Sequence, residues 1–115
     1  MDAAALAANV REQATDFSTT FFRDEASLSR ALQLLDGQWS EIRTHLAGGL
    51  RARESAALTA TARWCLTAAW HRRESRGIHT REDFLEPAPH LARRQILRGL
   101  DSIESSFASV EELAA

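Results

Sequence analysis

This sequence of 115 residues contains no lysine, no tyrosine, one cysteine, one methionine and two prolines. The lone Cys65 excludes an internal disulfide and any thiolate zinc site built within one chain. Its glycines, at 37, 48, 49, 77 and 99, never assemble the spaced triplet that wraps a dinucleotide phosphate, so no cofactor is expected to bind this chain by itself. The histidines, at 45, 71, 79 and 90, lack the spacing of a helical metal pair, and no metal site is expected. No apolar run approaches the roughly eighteen residues that a membrane span needs. The opening stretch, MDAAALAANVREQ, lacks a basic start followed by an apolar segment, so neither a membrane nor a leader is indicated and a cytoplasmic location is expected.

What is present is the composition of an ordinary soluble globular domain, 44% hydrophobic and 26% charged with a net charge of −2. Every basic residue other than histidine is arginine, and arginines crowd the stretch from Arg63 to Arg98, with acids dominating from Asp101 to Glu112. Such a cluster can be a phosphate footprint, but arginines near helix C-termini also complement the helix dipole. With the net charge negative, nucleic acid is not the expected partner.

Helical periodicity is strong. Leu6, Val10, Ala14, Phe17 and Phe21 predict a first helix over 2–20, and Leu28, Leu32, Leu35, Trp39, Ile42 and Leu46 a second over 25–46, with Asp24 as its N-cap. Gly37 interrupts the second, where it marks close packing with a neighbour, and Gly48 and Gly49 end it. A third helix over 53–76 puts Leu58, Ala62, Cys65, Leu66 and Ala69 on one stripe, which makes Cys65 a buried structural residue. Its small residues let another helix approach closely. Trp39, Trp64 and Trp70 are core or interface anchors. The expected fold is all-α: a single domain, a three-helix up-down-up bundle of the spectrin-repeat kind, with an extended C-terminal segment. Pro87 and Pro89 make 77–89 a loop, a short helix over 90–99 follows, and residues 100–115 form a tail.

The densest chemistry lies in HRRESRGIHTREDF, residues 71–84. Gly77 suits a left-handed position just past a helix end, and Arg72, Arg73 and Arg76 suit the last turn. His71 and Glu74 lie one turn apart and could pair on the helix surface. If 78–84 runs extended, His79, Arg81 and Asp83 form a polar ledge facing away from Ile78, Thr80, Glu82 and Phe84. By itself such a ledge is open to three readings: a solvated edge, a docking surface for another domain, or a catalytic carboxylate and histidine pair.

The run ARWCLTAAWHRRESRGIHTREDFLEP, residues 62–87, resembles the C-terminal helical domain of the flavoproteins that include L-aspartate oxidase and the succinate dehydrogenase and fumarate reductase flavoprotein subunits. Glu74-Ser75-Arg76-Gly77, His79, Arg81 and Asp83-Phe84 carry the likeness, and FRDEASLSRALQLL, residues 22–35, is similar to the opening of that family's second helix. The short stretch after the signature is more like the aspartate oxidase branch, although Leu85 stands where a proline commonly follows the Asp-Phe pair. The resemblance implies a parent that uses FAD to oxidise L-aspartate to iminoaspartate in NAD biosynthesis, with electrons passing to oxygen or fumarate. Flavin and substrate sites of such a parent lie in FAD-binding and capping domains, so this chain is expected to be inactive alone and to hold no catalytic, cofactor or metal residue. Glu74, Arg76, Gly77, His79, Arg81 and Asp83 are then expected to dock onto those domains, Arg76 and Arg81 foremost. The alternatives are the same domain of a succinate dehydrogenase or fumarate reductase subunit, and a stand-alone helical module that binds another protein or a second copy of itself.

Overall fold

The computed structural model describes residues 2–45 and 49–108. Four helices come first, α1 (Ala3–Thr15), α2 (Phe17–Thr20), α3 (Glu25–His45) and α4 (Leu50–His71), followed by a single 3-10 turn, Pro89–Leu91, and the strands β1 (Gln95–Arg98) and β2 (Glu104–Phe107). The protein is thus mostly helical with a small two-stranded sheet, which corrects the all-α expectation. The helix expected over 90–99 is the 3-10 turn and β1, which pairs antiparallel with β2 from Gln95↔Phe107 to Arg98↔Glu104. Gly99 reverses the chain between them at φ +96°, where a Cβ would come within 2.0 Å of the Ser102 carbonyl oxygen. The Leu46 end of the second apolar run, Gly48, and the acids Glu111 and Glu112 lie outside the described residues.

Local chemistry sets the helix ends. Asp2 accepts hydrogen bonds from the Ala4 and Ala5 N–H groups at 3.0 and 3.4 Å and opens α1. The first helix stops at Thr15, short of the expected 20, because Asp16 turns extended and its carboxylate takes the Ser18 N–H at 2.8 Å, a side-chain alternative to the helical ladder. Phe21 consequently falls past α2 and is exposed, not on the apolar face. Asp24 caps α3 as expected, accepting from the Ser27 N–H at 2.7 Å, and the Ser27 hydrogen bonds hold its carboxyl below the usual range. α4 stops at His71, five residues before the expected end.

Val10, Leu28, Ala31, Leu35, Ala62, Leu66 and Ala69 form the core, with Leu32 and Trp70 packed against it. Leu28, Leu35 and Ile42 are completely or almost completely buried, each worth about 1.5–3 kcal/mol by removal from water. The buried face of α4 is mostly small: Ala52, Ser55, Thr59, Ala60, Ala62 and Ala69. A polar seam joins the long helices through that face. Gln38 of α3 donates to the Leu6 carbonyl of α1 at 3.1 Å and to Thr59 of α4 at 2.8 Å, and Ser55 donates to the Ala3 carbonyl at 2.8 Å. Arg63 pairs with Asp36 at 2.8 Å, so the 38–59 and 36–63 contacts set α3 and α4 antiparallel. Two members of the expected stripe are not in the core: Leu58 and Cys65 are exposed, since the stripe is wider than the surface that α1 and α3 cover. Gly37 also departs from expectation, having nothing within 4 Å of a would-be Cβ.

The tryptophans and Arg63 fasten the hairpin to the helices. Trp64 donates to the Gly99 carbonyl at 2.7 Å, Trp39 donates to the Asp101 carboxylate at 3.0 Å, and Arg63 donates to the Leu100 carbonyl. A two-stranded hairpin is marginal in isolation, so these contacts hold it.

Candidate functional site

A helix C-terminus leaves carbonyls without intrahelical donors, and burial makes each one costly unless satisfied. The stretch after α4 supplies the donors. Arg72 N–H and Gln95 Nε2 reach the Ala68 carbonyl at 3.0 and 3.1 Å. Arg81 Nη1 donates to the Ala69 and Trp70 carbonyls, both at 2.9 Å. His79 Nε2 lies 2.9 Å from the Arg72 carbonyl. The signature is therefore a cap on α4, folded back over its end.

Two tight turns produce this geometry. In the first, Arg76 and His79 exchange backbone hydrogen bonds at 2.8 and 3.0 Å, with Gly77 at φ +61° in the first central position, the glycine-first pattern of a type II′ turn. Gly77 has the expected positive φ, but it serves this turn and not the helix end at His71, six residues earlier. In the second, Phe84 N–H donates to the Arg81 carbonyl at 3.2 Å. Ser75 ties the turns together, accepting from Arg81 N–H at 2.9 Å and donating to the Phe84 carbonyl at 2.8 Å. Residues 78–84 are accordingly not an extended ledge.

Each expected site residue has a definite place. Glu74 is fully buried and accepts from Arg72 at 2.5 Å, from Arg76 at 3.1 Å and from the Ala88 N–H at 2.9 Å. Burial alone would raise its carboxyl pKa; the hydrogen bonds from Arg76, Ala88 and Arg72 outweigh that and hold it below the usual range. The expected His71–Glu74 pair does not form, because α4 has ended and the arginines take the carboxylate. Arg81, 1% exposed, grips Asp83 at two points, 2.8 and 2.7 Å, and stacks over Phe84. Those hydrogen bonds hold the Asp83 carboxyl low, and Asp83 also accepts the Glu25 N–H at 3.1 Å, linking the second turn to the start of α3. Arg76 and Gly77 face outward, as does Ile78, which is 98% exposed at the tip of the first turn. The network thus brings Glu74, Arg76, His79, Arg81 and Asp83 together, with Glu74 and Arg81 turned inward. Arg63, Arg72 and Arg81 spend their donors on internal acceptors, so the arginine-rich stretch is not one continuous basic surface.

Arg23 belongs to this network and was not among the expected site residues; its signal was its place in the second resembling stretch. Its backbone pairs with Thr80 and Glu82, Nε donates to the Thr19 carbonyl at 2.8 Å, and Nη1 lies 2.6 Å from His79 Nδ1. With a guanidinium at Nδ1 and a carbonyl at Nε2, His79 is the neutral tautomer protonated on Nε2. Burial, then the charges of Arg23, Arg81 and Arg72, push its pKa below 6.5 against the opposing Arg72 carbonyl.

No three histidine, cysteine or acidic side chains gather as a metal site among the described residues, and no helix is long and apolar enough to cross a membrane. Both strands follow the helices, so no glycine-rich strand-to-helix turn exists there to cradle a flavin dinucleotide, and the described residues do not fit FAD. The arginines and carboxylates fold inward as a cap on the end of α4. A family model described as "Fumarate reductase flavoprotein C-term" matches residues 12–98, and the chain belongs to that family of flavoprotein C-terminal domains. Among curated proteins and among solved structures, none matches.

Proposed function

We propose that this chain is the non-catalytic C-terminal scaffold of an FAD-dependent oxidoreductase, docking on the FAD-binding and capping portions of its parent. The observation that carries the reading is the family match together with a charged cap whose arginines and carboxylates are spent on one another and on the carbonyls at the end of α4. Within that reading the long helices act as an up-down-up bundle that holds the cap rigid. Arg76, Gly77, His79 and Asp83 form or border the docking face, while Glu74 and Arg81 shape it from inside, because paired charges fix orientation more than they add affinity. One candidate parent is an L-aspartate oxidase of NAD biosynthesis, whose C-terminal domain the Glu74-Ser75-Arg76-Gly77, His79, Arg81 and Asp83-Phe84 signature resembles. A succinate dehydrogenase or fumarate reductase subunit is an equal alternative, supported by the description of the matching family.

The test is to mix the chain with a separately expressed FAD-binding and capping portion of an aspartate oxidase, and in parallel with that of a fumarate reductase. Size and flavin absorbance are then followed by gel filtration. Co-elution with bound flavin, and recovery of aspartate oxidation or fumarate reduction, selects the parent. Separate elution from both well-folded partners would overturn the scaffold reading in favour of a stand-alone interaction module.

A further inference from the structure

A furrow runs along α4 where it faces α1 and α2. Its first part, about 310 Å³, is lined by Val10, Ala14, Leu58, Ala62 and Leu66, and it meets a smaller cavity of about 190 Å³ bounded by Arg72, His79 and Gln95. Arg23 and Cys65 line both and mark the junction. Three neighbouring arginines have acids: Arg72 and Arg76 share Glu74, and Arg81 holds Asp83. Arg23 is half-buried, yet among the described residues its side chain meets only neutral acceptors, the Thr19 carbonyl and His79 Nδ1. Burial disfavours its charge first of all, and Arg81 adds to that against an opposing contribution from Cys65. A partly desolvated cation without a carboxylate is costly unless one arrives from outside.

We infer that this furrow is the seat of a segment from the flavin-binding portion of the parent protein, in which a large apolar side chain fills the Leu58–Leu66 half and an adjacent aspartate or glutamate pairs with Arg23. Three observations specify this occupant. The apolar half asks for a hydrocarbon side chain, a guanidinium that meets no carboxylate among the described residues asks for one, and the chain belongs to a family of C-terminal domains, so a preceding portion of the same protein is the natural supplier. The furrow also adjoins the cap through the Arg23–His79 contact, so seating the segment would brace the turns that form the docking face. The inference rests on the scaffold reading and adds the position and chemistry of its main contact.

Cys65 is the one cysteine of the chain and is exposed in the furrow, which makes it a specific reporter. The rate of its reaction with a maleimide would be measured with and without the FAD-loaded flavin-binding portion. A benzophenone maleimide on Cys65 would identify the adjacent segment by crosslinking. Expected are protection of Cys65 by about tenfold or more, a crosslink to a segment with an acid beside a large apolar residue, and association weakened by at least about tenfold in Arg23→Gln and in Leu58→Glu. Leu58→Glu places its charge on an exposed site remote from the cap, so it tests the furrow even if Arg23→Gln disturbs folding, which circular dichroism would reveal. Undiminished association in Leu58→Glu, with Cys65 reacting at its free rate in the complex, would overturn the inference and leave the scaffold reading standing. Absence of any complex would overturn both. Protection of Cys65 by raising the concentration of the chain alone would overturn it in favour of a second copy as occupant.

Discussion

Arg81 and Asp83, two residues apart, form a two-point ion pair at 2.8 and 2.7 Å while the same guanidinium holds the Ala69 and Trp70 carbonyls at the end of α4. One side chain therefore closes the second turn, caps the longest helix and, through Asp83 and the Glu25 N–H, touches the start of α3. A planar fork of donors can serve four acceptors at once, which a single ammonium cannot.

Arg81→Ala is expected to cost about 2–4 kcal/mol in urea unfolding, because it strips the partly exposed Asp83 carboxylate and two carbonyls at the end of α4 of their donor. Arg81→Lys is expected to recover less than half of that loss. Full recovery by lysine would mean that charge alone, and not the fork geometry, matters at this position.

His79 makes the stability dependent on pH. Its folded pKa lies below 6.5, so its contribution is fully present above pH 6.5 and is lost as pH falls toward the folded value, where protonation opposes Arg23. Glu74 adds a second loss of the same sign, beginning as pH falls below 4.5 and completed through its depressed folded value. Thermal melts between pH 7 and pH 4 should show the first decline, and His79→Gln should flatten it while leaving the second in place.

Gly37 lies inside α3 with no atom near a would-be Cβ, so Gly37→Ala is expected to raise stability by about 0.5–1 kcal/mol. Destabilisation in the same urea titration would show that a neighbour does approach this point of the helix.

Gly99→Ala is expected to act in the opposite direction. A Cβ there meets the Ser102 carbonyl, and φ is +96°, so the hairpin must shift and pull the Gly99 and Asp101 contacts from Trp64 and Trp39. Tryptophan fluorescence should move toward longer wavelength and hydrogen exchange in 95–107 should accelerate. The helical circular dichroism signal should remain.

Apolar periodicity determined the long helices, because Leu28, Leu35 and Ile42 recur at helical spacing whatever they pack against, and Asp24 caps its helix through atoms three residues away. The signature determined the family, since so many spaced side chains carry information without coordinates. A positive φ at Gly77 was legible for the same local reason. The strands were not, because four residues are too few to display alternation and the turn that joins them, at Gly99, Leu100 and Asp101, is held by Trp64, Arg63 and Trp39 far away in the chain. Only the tertiary structure decided which way the charges face. Glu74 and Arg81 read as a surface ledge in the sequence, yet the unsatisfied carbonyls of α4 draw Arg81 inward and three donors bury Glu74 with it. The same packing left Cys65 and Leu58 outside the core and Arg23 with only neutral acceptors among the described residues, since burial and charge balance depend on which surfaces meet, a property that no stretch of sequence holds by itself.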